Sequence, residues 1–455
     1  MTDEIREAVP KIEELLKERQ FHELRSMMTA FEPADAAMIF DLIDEEYIPI
    51  LFRILPKESA ADCFVEMDSE TQKTLITAFS DKELSAVISD LFVDDTVDII
   101  EEMPANVVKR ILLHADPQKR KEINEILNYP KDSTGTIMTT EFVDLKASMT
   151  AEDVFRHIRK TGLTKETVYT CYVTDSGRHL IGVVTVKDIL TAKDENATVG
   201  DLMDEQVISV NTLDDKEETA RAMSRYDLMA IPVVDNENRL VGIVTYDDAM
   251  DIIESGDTED IEIMAAITPT DRPYLKTSIF DTWKKRIPWL LLLMVSATFT
   301  SRILQHFEDS LTSSAAMAAL IAFIPMLMDT GGNAGGQVSV TVIRGLSLDE
   351  IKMGDIFRIL WKELRVAVLC GITLAVVNFG KMMLIDRVSM PAAFVVSITL
   401  VAVVIIAKLV GATLPILAKR IGFDPAVMAS PFITTIVDAL SLLVYFNVAK
   451  LIIRG

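Results

Sequence analysis

Asp438 is a lone carboxylate inside an apolar run at residues 428–453, MASPFITTIVDALSLLVYFNVAKLII. The run is long enough to cross a bilayer, which takes roughly 20 apolar residues. An aspartate at the centre of a spanning helix costs about 3 kcal/mol on insertion scales, so such an acid faces a water-filled path or a partner. Cation binding is the chemistry that fits; the alternative is an ion pair with Lys408 of the preceding apolar run. Thr434 and Thr435 precede Asp438 by four and three residues and share its helical face. Their hydroxyls either orient hydration water or bond back to helix carbonyls. Upstream, residues 325–337 read PMLMDTGGNAGGQ, in which Gly331, Gly332 and two further glycines loosen helix while Asn333 and Gln337 offer neutral oxygens. That pattern predicts a broken helix whose unwound main chain lines a pore or binding site. Close helix packing against a small-residue face is the alternative. Pro415 is expected to make a second break, and 422–431 a Pro-punctuated turn where Asp424 either caps the next helix or holds a cation at the pore mouth.

The elements that must position these groups are membrane helices. Apolar windows at 287–303, 313–328, 366–385, 392–417 and 428–453 predict about five spans, the second short and ending at the glycines. Basic residues gather before the first window (Lys284, Lys285, Arg286), between the second and third (Arg344, Lys352, Arg358, Lys362, Arg365) and between the fourth and fifth (Lys419, Arg420). The positive-inside bias therefore predicts a cytoplasmic N-terminal region and an extracytoplasmic C-terminus. Residues 281–455 carry a net +5 and the residues before them −29, so an acidic soluble region precedes a membrane region. That acidity excludes nucleic acid as a natural partner and favours divalent cations. Three widely separated cysteines imply neither a disulfide framework nor a zinc site, and the N-terminal stretch lacks the pattern of a cleavable signal peptide. No nucleophile with a His partner, phosphate loop or metal triad is visible, so an enzyme is not expected.

Two copies of one unit lie between Gly135 and Ala249: LIGVVTVKD, ending at Asp188, matches LVGIVTYDD, ending at Asp248. Each copy reads as a short strand, an amphipathic helix, two β-rich runs around a polar turn, and a helix beginning near the Asp. The pair resembles tandem cystathionine β-synthase (CBS) motifs, regulatory modules that often bind adenine nucleotides. The resemblance implies a nucleotide such as ATP near Thr185 and Asp188, whereas the residues alone fit N-caps equally well. Before the repeats, short Pro- and Asp-punctuated helical patterns predict a superhelix stacked from helix pairs. Acids cluster at Asp94, Asp95 and Asp98, at Asp214 and Glu217, and through Asp247, Asp248, Asp251, Glu254, Asp257, Glu259 and Asp260. Like charges at helical spacing repel, and bound cations relieve them; Mg²⁺ keeps several waters while touching one or two carboxylates.

End to end, the chain resembles the MgtE-type magnesium transporter and channel family, on the run Gly331–Gln337, on Asp424-Pro-Ala, and on Pro431-Phe-Ile-Thr-Thr435 with Asp438. The resemblance implies a multidomain homodimer in a plasma (inner) membrane. Its parts are an α-helical superhelical domain at 1–131, an α+β CBS pair at 132–198 and 199–256, a connecting plug helix at 257–280, and an α-helical polytopic membrane domain at 281–455. It further implies that Asp438 of both subunits binds hydrated Mg²⁺ on the dimer axis near Asn333, and that cytosolic Mg²⁺ among the acidic domains holds the gate shut. Ser441 stands where the family often has glycine. Rival readings are a CBS-regulated channel or carrier for another ion, and a membrane-anchored Mg²⁺ sensor without transport.

Overall fold

The computed structural model describes residues 3–194, 197–270, 274, 277–312, 320–348 and 350–453. They divide into two compact units, Met1–Ile253 and Glu254–Gly455.

In the first unit, ten helices run from Asp3–Lys17 to Pro117–Ile126. Their starts follow from local chemistry: Ser80 and Glu83 form a reciprocal capping box, and Asp68 and Asp116 accept the free N–H groups of Thr71 and Gln118 at 2.7 and 2.8 Å. Several helices pack against the helix two places along, which coils the stack into the expected superhelix. Its axis is apolar, with Phe52 touching Phe40, Phe64 and Phe79.

The two repeats fold alike. Asp144–Leu145 lies parallel to Thr170–Thr174, which pairs antiparallel with Leu180–Thr185; Val210–Asn211, Ala230–Val234 and Leu240–Thr245 reproduce that order. Even the register shift recurs, at Val173/Thr174 and Val233/Val234. The repeats grip each other through exchanged backbone bonds: Thr139 and Ile243 donate to one another's carbonyls at 2.8 and 2.9 Å. Gly242 permits this approach, since a Cβ there would lie 2.8 Å from the Thr139 oxygen. From the second repeat a single helix, Tyr246–Met264, carries the chain onward, so the helical part of the connector at 257–280 belongs to an element that begins inside the repeat. A new helix starts at Ile279.

The second unit contains the long helices Ile279–Thr312, Ile324–Ser347, Ile356–Leu384, Met390–Arg420 and Ser430–Ile453. Among the described residues four helical stretches are long and apolar enough to cross a membrane: Ile279–Phe307, Met353–Leu384, Met390–Arg420 and Pro425–Ile452. The window at 313–328 falls partly outside the described residues.

Two expectations are corrected here. The glycine run does not break its helix: Ile324–Ser347 is continuous and holds all four glycines. Backbone polar groups in an apolar bundle are best satisfied within the helix, and neighbouring helices cover the glycine face. Pro415 likewise lies inside Met390–Arg420 without ending it. A proline removes one N–H and crowds the carbonyl one turn earlier, here that of Gly411, and the helix continues across that single local defect.

Candidate functional site

Three helices converge where the glycines are. A Cβ on Gly411 would lie 2.3 Å from the Gly335 carbonyl oxygen, so the helices Met390–Arg420 and Ile324–Ser347 touch backbone to backbone. On its other flank Ile324–Ser347 meets Ser430–Ile453: Gly331 abuts Val437 and Ser441, Gly332 abuts Thr434, and Gly335 abuts Ile433 and Val437. The small residues thus act by packing, and the polar members of the run act from the opposite face. Gly331, Gly332, Gly335 and Gly336 are buried, while Asn333 and Gln337 are exposed on the single chain.

Asp438 is partly buried beside this seam. Lys408 does not pair with it. That lysine, 6% exposed, lies 4.0 Å from Glu363 of the Ile356–Leu384 helix, so the buried cation has its own partner. The charged group that acts on Asp438 is another acid, Asp329. Asp329 precedes Asn333 by four residues and is exposed on the same helical stripe, a spacing visible in the sequence but overshadowed by the glycines.

The remaining polar groups take local roles. Thr434 and Thr435 both donate their hydroxyls to the Pro431 carbonyl, at 2.9 and 3.1 Å. Asp424 accepts the Ala426 N–H at 2.7 Å, capping the short turn Pro425–Met428. Ile263 and Met264, at the end of the helix leaving the second repeat, pack with Ile343, Ala426 and Ala429. The turn is fastened to the glycine helix by Ser339, which donates to the Met428 carbonyl at 3.1 Å.

A second concentration of acid lies within the first unit, on three elements: Asp94, Asp95 and Asp98 at the start of Val93–Glu102, Glu141 and Glu166 in the first repeat, and Asp247 and Asp248 leading out of the second. Asp94 is 5% exposed and its Oδ1 has no hydrogen-bond partner; Glu166 Oε2 is likewise buried without one. Burial, reinforced by Asp248, holds the Asp94 carboxyl well above the usual range. Burial with the charges of Asp95 and Asp247 raises Glu166 to about 8, and burial outweighing the Thr245 hydrogen bond raises Asp248 to about 7. Asp98 is exposed at the rim. Asp251 belongs to the same neighbourhood, where it and Asp247 act on Glu66. Lys119 is the cation in reach of Asp95 and Glu141, and it donates to the Ile88 and Leu91 carbonyls.

Other expected ligands of the first unit are engaged locally. Asp214 accepts the Asn211 N–H in a turn, and Glu217 pairs with Arg221 at 2.6 Å. Glu254, Asp257, Glu259 and Asp260 lie along Tyr246–Met264 with outward or half-exposed side chains. Among the described residues no group of three or more His, Cys, Asp or Glu is arranged to enclose a metal ion. Thr185 and Asp188 bond to each other in a capping box, as Thr245 bonds to Asp248.

Family comparisons match this architecture piece by piece: an MgtE intracellular N domain at 31–132, CBS domains at 135–195 and 199–255, and a divalent cation transporter domain, MgtE, at 324–448. The magnesium transporter MgtE of Thermus thermophilus is 35% identical over 98% of both chains, and that of Bacillus subtilis 31% identical over 99% of this chain and 98% of its own. Among solved structures, the cytosolic domain of the Mg²⁺ channel MgtE in complex with ATP is 33% identical and covers 54% of this chain and 99% of its own, with a TM-score of 0.51. With near-complete coverage at this identity, the chain belongs to the MgtE family of magnesium transporters.

Proposed function

We propose that this protein is a Mg²⁺ channel or transporter that admits the ion down its electrochemical gradient and closes when cytosolic Mg²⁺ is plentiful. The observation that carries the reading is the exposed polar stripe of Asn333 and Gln337 beside Asp438, on helices otherwise built to be covered by apolar neighbours. Polar groups at that depth against lipid are expensive, so the stripe belongs on water. A second copy of the chain facing it across a two-fold axis would enclose that water and bring two Asp438 carboxylates together. Mg²⁺ surrenders its hydration reluctantly, and a wide path of carboxylate and amide oxygens recognises the hydrated ion without stripping it. The membrane is the plasma or inner membrane, and the basic flanks support cytoplasmic N-terminal domains and a C-terminus outside.

The buried acids of the first unit fit the regulatory half. Carboxylate oxygens are hard ligands, and the unpartnered Asp94 Oδ1 and Glu166 Oε2 are atoms a divalent cation or its water would satisfy. Regulation needs Mg²⁺ to bind the closed arrangement more tightly than the open one, since equal binding shifts nothing. Ile263 and Met264, packed with Ile343 and Ala426, offer a mechanical link from the connector to the glycine helix. ATP in the CBS pair rests on likeness to the ATP-bound cytosolic domain, because Thr185 and Asp188 are engaged with each other.

Uptake of Mg²⁺ into proteoliposomes tests the transport reading: the wild type conducts and Asp438→Ala loses the flux, whereas a sensor shows none in either. Mg²⁺ that leaves the protease sensitivity of residues 256–278 unchanged refutes the regulatory part.

A further inference from the structure

We propose that Glu141 is a positioning residue for the acidic cluster of the first unit: its side chain latches the helix Val93–Glu102 onto the first repeat, and this latch sets how sensitively cytosolic Mg²⁺ closes the channel. The inference rests on the regulatory reading above and names the residue that holds its acids in place.

The latch is a hydrogen bond between segments 48 residues apart: Glu141 Oε2 accepts the Val93 N–H at 3.0 Å. Val93 opens its helix, and the first N–H groups of a helix have no partner within it. Val93 is fully buried, so losing Glu141 leaves that N–H without a substitute. A carboxylate there also meets the positive end of the helix dipole. The preceding N–H, that of Phe92, is taken by Asp95 at 3.4 Å. The helix start is thus capped once by its own acid and once by an acid of the repeat.

The other elements of the cluster converge on the same residue. Oε2 also accepts the Thr139 hydroxyl at 3.0 Å, and the Glu141 N–H returns to Thr139 Oγ1 at 3.4 Å, which fixes the direction of the carboxylate. The Thr139 backbone exchanges bonds with Ile243, two residues before the Thr245 that bonds to Asp248. The Glu141 carbonyl accepts the Glu166 N–H at 2.8 Å. One residue therefore ties the helix of Asp94 and Asp95 to Glu166 and, through Thr139, to the strand that leads to Asp248.

Its own charge is already answered. Lys119, anchored on the Ile88 and Leu91 carbonyls just before Val93, faces Glu141 with its charge. With two donors on one oxygen and a cation nearby, Glu141 differs from Asp94 and Glu166, each of which buries an oxygen without a partner. Those two are placed to bind, and Glu141 to hold them.

Single-channel recording of the full-length protein, with Mg²⁺ titrated on the cytosolic face, tests this. Glu141→Ala is expected to raise the half-closing Mg²⁺ about tenfold with unit conductance unchanged. Val93→Pro should shift it likewise: proline suits the first position of a helix behind the extended Phe92, yet has no N–H to donate. That variant touches no acid, so its shift does not come from a lost cation ligand. Glu141→Gln keeps the half-closing value within about twofold, since an amide oxygen accepts the same two bonds. Wild-type half-closing in either Glu141→Ala or Val93→Pro overturns the inference, even where the melting temperature falls. So does a Glu141→Gln shift as large as that of Glu141→Ala, the mark of a cation ligand. Wild-type channels that ignore cytosolic Mg²⁺ overturn the regulatory reading, and the latch with it.

Discussion

The acids of the membrane unit and those of the soluble unit are placed in opposite ways. Asp438 and Asp329 are few, one half-buried and one exposed, beside a stripe with amide neighbours. Asp94, Asp95, Glu166 and Asp248 are crowded, and two of their oxygens are buried without a partner. An open, sparse arrangement binds an ion and releases it. A crowded, buried one stores repulsion that only protons or cations relieve, so its shape depends on what is bound. The same residue type thus serves passage in one unit and sensing in the other.

The largest effect that would break this contrast comes from the helix crossing that presents the open stripe. Gly411→Leu places side-chain atoms where a Cβ alone would lie 2.3 Å from the Gly335 oxygen, an overpacking that costs at least about 3 kcal/mol. Full-length protein carrying it is expected to lose its monodisperse elution and all Mg²⁺ uptake. A normal, conducting variant would mean the glycines do not set the crossing.

Next comes the crowded cluster. Removing one charge by Asp94→Asn should raise the melting temperature of the full-length protein in Mg²⁺-free buffer at pH 8 and shrink the further gain on adding Mg²⁺. Equal Mg²⁺ stabilisation in wild type and variant would detach Asp94 from cation binding.

The pH dependence has a definite sign. Glu166 titrates near 8 and Asp248 near 7 in the folded protein, and the unfolded chain releases these protons near 4. The folded state therefore binds more protons across that window, and stability falls as pH rises from about 4 toward 8, then levels off. Thermal melts without Mg²⁺ should show a drop of several degrees between pH 6 and pH 8.5, reduced by millimolar Mg²⁺. A melt that rises over this range would contradict the burial of these groups.

The smallest effect is at the first repeat. Asp188→Ala removes half of a capping box and should cost about 1 kcal/mol of local stability with Mg²⁺ uptake unchanged. Loss of ATP-induced stabilisation in the same variant would assign Asp188 a ligand role beyond its cap.

Much of this was legible in the sequence because it is local. Alternating apolar runs ending in Val-Thr-Val and Val-Thr-Tyr specify the paired strands of the repeats, and the Asp three residues after each Thr specifies the bond it makes. The glycine run was misread because composition records a loss of side chains but not what fills the space; Val437, Thr434 and Ile433 come from a helix about a hundred residues away. Lys408 is legible as a buried cation, but its partner Glu363 is chosen by packing between two helices. Asp329 had a signal, its four-residue spacing to Asn333, and only the seam with Ser430–Ile453 gives that spacing meaning.

Single-channel recording, with Mg²⁺ varied on the cytosolic face, tests the central claim most directly. Wild-type protein should pass Mg²⁺ current at low cytosolic Mg²⁺ and fall silent as it rises, and Asp438→Asn should pass no resolvable Mg²⁺ current at either level. Wild-type conductance persisting in Asp438→Asn would contradict the account.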